Sequence, residues 1–279
     1  MGRKKKIDSK EAGLEIGLFF FKFFLKSEYL HYGFFPSDLP TDITNLAKAQ
    51  ENYAELLLSN IPSGVKTILD VGCGSGKMAE KLISKGYDVD TVSPGVLLTK
   101  YVQNKLGNQI TIHNCKFEDF SSTKKYDLIL FSESFQYIPI EKSLEGFKKF
   151  ASPNGYMMIC DFFRLEDEGK SLLGGGHSFK DWEATIQRYP FKKLKEQDIT
   201  DQTAPTIDLV NALALEVLHP TWKTIFLLGE DRFPLLLKFV KWKYKKKIQK
   251  MENKHFSGQR NGVNFKKYKK YMLYIFQTN

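Results

Sequence analysis

A chain of 279 residues, 42% of them hydrophobic, can bury a full core as one domain with an elaboration, and is too apolar to be disordered throughout. Its formal charge of +10 suits anionic surfaces, but the basic stretches carry no RNA-binding motif, so nucleic acid is not expected as a partner. Cys73, Cys115 and Cys160 are few and odd in number, which excludes a disulfide framework, and no CxxC or HExxH spacing offers a metal site.

The start, MGRKKK, has the charge of a signal peptide's first region. Glu15 and Lys22 interrupt the apolar stretch after it, however, and no small-residue cleavage site appears. Gly2 lacks the Ser or Thr that myristoylation requires, and the run Leu14–Leu25 is too short and too charged to span a bilayer. A cytoplasmic protein is expected. Residues 1–64 are predicted to form a helical N-terminal cap. Phe20, Phe23 and Phe24 share one helical face and Lys22 and Lys26 another; a second helix is predicted over 45–58.

From Val65 strands and helices alternate, the pattern of a mostly parallel sheet covered on both faces. Strands are predicted near 67–71, 87–92, 109–114, 126–131 and 155–161, with helices near 77–85, 95–106 and 141–150. Ile68-Leu-Asp-Val-Gly-Cys-Gly-Ser-Gly76 is the most informative stretch. A short buried strand runs into a glycine-rich turn and then a helix, which is a nucleotide cradle in a βα unit. No Lys-Ser or Lys-Thr pair ends the loop, so a phosphate-gripping P-loop is disfavoured, and Asp70 stands ready to accept hydrogen bonds from a ligand's ammonium group or from backbone amides. After Arg164 the rhythm breaks at Gly174-Gly-Gly176. A helix at 178–188 and a strand at 191–199 are predicted, then unbroken helix over 205–252, and a last strand over 271–276. The predicted organisation is therefore a cap (1–64), a Rossmann-like core (65–164), a helical insertion covering the strand ends (165–265) and a returning strand (266–279).

These motifs resemble the class I S-adenosylmethionine-dependent methyltransferases, and within them the group of cyclopropane fatty-acid synthases, tocopherol methyltransferases and sterol methyltransferases. ILDVGCGSG matches that family's first motif; Tyr29-Leu-His-Tyr-Gly-Phe-Phe35, Thr91-Val-Ser93, Lys116-Phe-Glu-Asp-Phe120 and Glu133-Ser-Phe-Gln-Tyr-Ile-Pro139 are similar to the subgroup's local patterns. The resemblance implies S-adenosylmethionine as cofactor. Asp70, Gly72, Cys73, Gly74 and Gly76 would form its loop. Thr91, Val92 and Ser93 would lie beside it at the end of the second strand, with Phe117 and Glu118 at the adenine and Ser132 at the end of the fourth strand. Thr91 stands where many such enzymes carry an acid for the ribose, which leaves the ribose contact unassigned. Gln136-Tyr137 replaces the subgroup's Glu-His pair, which argues against cyclopropanation and for plain methyl transfer.

Glu133 and His31 are the candidate bases, as a carboxylate after the fourth strand and an imidazole that titrates near neutrality. Tyr32, Phe35, Phe135 and Tyr137 are expected to give an aromatic pocket for a small, largely apolar acceptor: a lipid, a prenylated aromatic or a polyketide. A non-catalytic protein that binds the cofactor as a partner or regulatory subunit is the alternative reading; a dinucleotide oxidoreductase fits less well. The lysines of 238–250, beside Leu235, Phe239 and Trp242, together with the Phe19–Phe24 segment, fit either a solvated helix face or weak contact with an anionic membrane surface.

Overall fold

A computed structural model describes residues 9–165, 169 and 171–278; the basic run at 1–6 lies outside them. The chain begins with helix α1 (Ser9–Phe24), an extended segment and helix α2 (Leu46–Ser59). Then come β1 (Thr67–Val71), α3 (Lys77–Ser84), β2 (Asp88–Val92), α4 (Val96–Leu106), β3 (Thr111–His113), β4 (Tyr126–Ser132), α5 (Ile140–Phe150) and β5 (Ala151–Arg164). Helix α6 (Phe179–Ile186) and β6 (Lys192–Asp198) come next, then α7 (Thr200–Ala212), a π-helical turn (Leu213–Leu218), α8 (His219–Arg232), α9 (Pro234–His255), α10 (Gly262–Tyr268) and β7 (Lys269–Gln277).

The seven strands make one sheet in the order β3-β2-β1-β4-β5-β7-β6. β1 to β5 pair in parallel, while β7 runs antiparallel between β5 and β6. The order reverses at β1, so the crevice at the carboxyl ends of β1 and β4 is where such sheets bind ligands. The central strands are buried on both faces and read as continuous apolar runs. One face packs on α2, α3, α4 and α7 through Tyr53, Leu57, Ala79, Val102 and Ile207. The other packs on α5 and α6 through Leu144, Phe147 and Trp182. α6 and α7 thus pack on the sheet, and β6 extends it beyond β7.

Two sequence expectations change. The fifth strand starts at Ala151 rather than near 155, and Pro153-Asn154-Gly155 forms a bulge inside it, with Asn154 at φ +57° and a register break against β4. The long helical stretch is not continuous. The π turn loosens it after Ala212, and it breaks at Phe233 (φ −136°), where Pro234 opens α9 at the position that tolerates a missing N–H. α8 and α9 fold into a hairpin: Lys241 of α9 pairs with Glu230 of α8 and lies over the Phe226 ring. Neither helix has a buried residue.

Candidate active site

The glycine loop is built by positive φ angles at Gly72 (+83°), Gly74 (+53°) and Gly76 (+74°). Side chains on Gly72 and Gly76 would strike protein: a Cβ at Gly72 would come 2.7 Å from Ser134 Cβ, and one at Gly76 2.9 Å from Val102. At Gly74 the nearest atom to a Cβ is Leu30 Cδ1 at 3.6 Å, so this glycine alone leaves its Cβ side comparatively open. Cys73 between them is buried, and burial beside Asp70 pushes its thiol up to about 12, so it turns the chain without acting as a nucleophile. The Gly72 N–H donates to Val92 O (2.9 Å), and Thr91 Oγ1 donates to Asp70 O (2.8 Å). Thr91 and Val92 therefore fasten β2 to β1. Ser93, also buried, donates its N–H to His113 O and accepts from the Asn114 amide, joining β2 to the segment after β3.

Asp70 is buried, and its Oδ2 has no hydrogen-bond partner. Burial pushes its carboxyl up to about 7. A buried unpartnered carboxylate oxygen is costly and calls for a cationic donor, so the loop fits a ligand that brings an ammonium group. The nearby Asp90 cannot serve. Lys124, Tyr126 and His113 occupy its carboxylate, and their hydrogen bonds, led by Lys124, hold it below the usual range despite burial.

Glu133 directly follows β4 in a left-handed conformation (φ +55°), unusual for a residue with a Cβ and a form of strain that clusters at functional sites. Its N–H donates to Cys160 O (2.9 Å), which fixes the turn. Its Oε1 accepts from the Tyr32 N–H (2.6 Å) and from the Tyr271 hydroxyl (2.7 Å). The Tyr53 hydroxyl lies 3.1 Å from that of Tyr271 and 3.3 Å from both Cys160 O and Ser132 Oγ. Burial outweighs these donors and pushes Glu133 up to about 8.

The segment Tyr29–Phe35 covers this crevice. Gln50 of α2 donates to Tyr29 O and His31 O, Thr206 of α7 accepts the Gly33 N–H, and Ser75 donates to Glu28 O. His31 stacks on Tyr53 (centroids 4.3 Å apart) and donates from Nδ1 to Tyr32 O (2.8 Å), so it is the Nδ1–H tautomer with a buried, unpartnered Nε2. Burial lowers its pKa to about 4, a wall residue's value rather than a neutral-pH base's.

The structure redistributes the aromatic residues. Phe117 is buried against Phe131 and Phe150 and fills the space beside Gly146, whose Cβ would come 2.3 Å from its ring. It therefore presents no face to an adenine, while Glu118 beside it is exposed. Phe35 packs against Leu46 and Ala49, and Phe135 against Phe131, Phe163 and Trp182 on the opposite face of the sheet. Tyr137 keeps 61% of its surface exposed. Of the four expected pocket aromatics only Tyr32 lies in the cluster at Glu133, and its ring neighbours are Phe162, Phe265 and Tyr271. Gln136 acts as a clamp: it donates from backbone and side chain to the buried Asp161, and its carbonyl accepts the Gly176 N–H. His177 is tied to Phe135 O and Ile138 O. Among the described residues no cluster of three His, Cys, Asp or Glu side chains could hold a metal.

Sequence reasoning missed Tyr53, Tyr271, Gln50 and Glu11. Glu11 of α1 reaches the β2–α4 turn, where its Oε1 accepts the Leu97 N–H (2.6 Å). No local pattern marks these residues, because each acts across the chain.

A family model described as a methyltransferase domain matches residues 45–197, more than half of the chain. The chain belongs to the S-adenosylmethionine-dependent methyltransferases. Malonyl-[acyl-carrier protein] O-methyltransferase 2 of Ilyobacter polytropus is 30% identical over 39% of this chain and 46% of its own length, so the chain spans about half of that relative. Methyltransferase GfsG of Streptomyces halstedii is 26% identical over 74% of this chain and 78% of its own length. The cyclopropane synthase MmaA2 of Mycobacterium tuberculosis superposes with a TM-score of 0.64 over 95% of both chains at 17% identity, a likeness of fold.

Proposed function

We propose that this protein transfers a methyl group from S-adenosylmethionine to a small, largely apolar acceptor by in-line displacement. The observation that carries this reading is Glu133: strained, enclosed, and held at one oxygen by Tyr32 and Tyr271 beside the glycine loop. When bound, S-adenosylmethionine supplies a methyl on a sulfonium, already a good leaving group. The protein's task is then positioning, exclusion of water and handling of one proton.

Asp70 is the partner for the cofactor's ammonium group. The open side of Gly74 admits it close to the backbone, with Cys73, Val92 and Ser93 shaping the loop and strand ends through their main chains. At the β2–α4 turn Glu11 is the carboxylate brought to where the ribose hydroxyls belong, and Glu118 stands at the adenosine end. Ser132 and Tyr137 flank the reacting region. A permanent anion beside a sulfonium would stabilise the ground state more than the transition state. A carboxyl raised to about 8 is mostly neutral at pH 7, and its ionised minority takes the proton from an acceptor hydroxyl or activated carbon. Tyr32, Tyr53, Phe162, Phe265 and Tyr271 make the wall that excludes water. Calorimetry with S-adenosylmethionine, followed by assay of S-adenosylhomocysteine with candidate apolar acceptors, tests the reading. Turnover lost in Glu133→Gln with cofactor affinity intact supports it; binding without turnover on any acceptor supports the non-catalytic alternative.

The α8–α9 hairpin supports a weak membrane contact. Its tip presents Leu227, Leu228, Phe233, Leu235 (82% exposed) and Leu236, while Trp242 (75% exposed) and the lysines at 238, 241, 243 and 245–247 lie further along α9. An apolar tip below a lysine collar suits the boundary of an anionic bilayer. Among the described residues no helix is long and apolar enough to cross a membrane.

A further inference from the structure

A cavity of about 320 Å³ lies between α7, the π turn and the end of α9. Ile207, Val210, Leu213, Leu218, Met251 and Phe256 make most of its wall. Ile207 and Leu173 carry that wall into the cluster of Phe162, Phe265 and Tyr271 that backs Glu133. The cavity is thus the apolar space adjoining the proposed reaction site, at the base of the hairpin. The six-residue π turn that lines it is itself uncommon, and such distortions recur at functional sites.

Two ionisable side chains line this cavity, His255 and Arg260. The Arg260 guanidinium donates from one Nη to His255 Nδ1 (2.9 Å), and its Nε is buried without a partner. His255 is pushed down by burial and by Arg260 and Lys254, so it receives this hydrogen bond as a neutral ring and leaves the arginine's charge uncompensated. Ion pairs elsewhere use the carboxylates at hand, as Lys266 does with Asp201; among the described residues Arg260 forms none. Its field nonetheless reaches Tyr32, whose hydroxyl it makes more acidic against the effect of burial. A half-buried guanidinium at one end of an apolar cavity is a receptor for an oxyanion.

We propose that the acceptor is an amphiphile, with its apolar body in this cavity and a carboxylate or phosphate head on Arg260, which His255 holds in place. The inference rests on the methyl-transfer reading only in taking this cavity as the acceptor's.

The test is calorimetric titration of the full chain, saturated with S-adenosylhomocysteine, with decanoate, decyl phosphate and decanol. Decanoate or decyl phosphate, or both, should bind at least about tenfold tighter than decanol, since a hydrogen bond to a charged partner is worth that much. Whichever anion binds tighter identifies the head. Arg260→Gln should reduce anion affinity to that of decanol while leaving S-adenosylhomocysteine affinity unchanged, which also reports that the variant is folded. Ala214→Trp, which fills the cavity, should remove binding of all three. Equal affinity for decanol and both anions, a preference that survives Arg260→Gln, or anion binding that survives Ala214→Trp would each overturn the proposal. The same three ligands are also titrated into the cofactor-free chain, so failure to bind S-adenosylhomocysteine would count against the methyl-transfer reading while the head-group preference is still read.

Discussion

The hydroxyl of Tyr271 lies 2.7 Å from Glu133 Oε1 across 138 residues of sequence, so the returning last strand delivers a hydrogen-bond donor to the candidate base. That donor lowers the pKa of Glu133 against the upward push of burial. Tyr271→Phe should therefore raise it further. At pH 7 turnover should fall about tenfold, and it should recover as the pH is raised, because the basic form is restored above the shifted pKa. The pH–rate profile of the variant checks this. Glu133→Gln has no group to ionise and should stay slow at every pH; recovery at high pH in that variant would remove Glu133 from the proton transfer.

Asp70 sets function against stability. Its folded pKa of about 7 is above the ordinary carboxylate value of 3.8, so the folded state binds the proton more tightly than the unfolded chain. Its contribution is fully present below pH 4 and is lost as pH rises to about 7. Asp161 (about 7) and Glu133 (about 8) act in the same direction. Glu28, pulled down to about 2 by Lys105, Lys22 and Tyr101 despite burial, changes nothing above pH 5. The Tm of the cofactor-free protein should therefore fall between pH 5 and pH 8. Asp70→Asn should stabilise it at pH 8, by about 1–2 kcal/mol given a cost of about 1.4 kcal/mol per pKa unit and partial relaxation, and weaken cofactor binding at least about tenfold. Thermal melts at both pH values with cofactor titrations check both halves.

Phe117 separates packing from recognition. Its ring sits between Phe131, Phe150 and Gly146 in the core. Phe117→Ala should cost about 3–5 kcal/mol of stability, as buried phenylalanine deletions do, and leave the cofactor Kd unchanged at temperatures where the variant is folded. Denaturant unfolding and calorimetry check it. A large loss of affinity without loss of stability would restore the stacking role.

The hairpin should bind anionic vesicles at low salt and release them as salt rises, since the lysine attraction fades as the Debye length shrinks. Replacing Leu235 and Leu236 by Ser should weaken the salt-resistant remainder, which measures insertion of the tip. Sedimentation with neutral and anionic liposomes at two salt concentrations checks it. Equal binding to both lipid classes would leave the lysines no part in the contact.

Strand positions were legible because buried parallel strands are short apolar runs bounded by turn residues, and the glycine loop because backbone geometry restricts its residues. Side-chain destinations were not. In a sheet covered on both faces an aromatic residue is buried whichever way it points, so sequence could not tell that Phe135 faces Trp182 while Tyr32 faces Tyr271. The place of Glu133 directly after β4 was legible from the sequence. Its enclosure was not, because that depends on Tyr32 and Tyr271 from opposite ends of the chain. The break at Phe233-Pro234 had a local signal, a proline able to open a helix, but a continuous run of helix-forming residues masked it.

Whether Glu133 serves methyl transfer to an apolar acceptor is decided by following the methyl group itself. The protein is incubated with S-adenosylmethionine radiolabelled on the methyl and an organic-solvent extract of small apolar compounds. Label should enter the extractable fraction with wild type, and at least about a hundredfold less should enter with Glu133→Gln at equal cofactor affinity. No transferred label from a wild type that binds the cofactor, or equal transfer by both proteins, would refute that role.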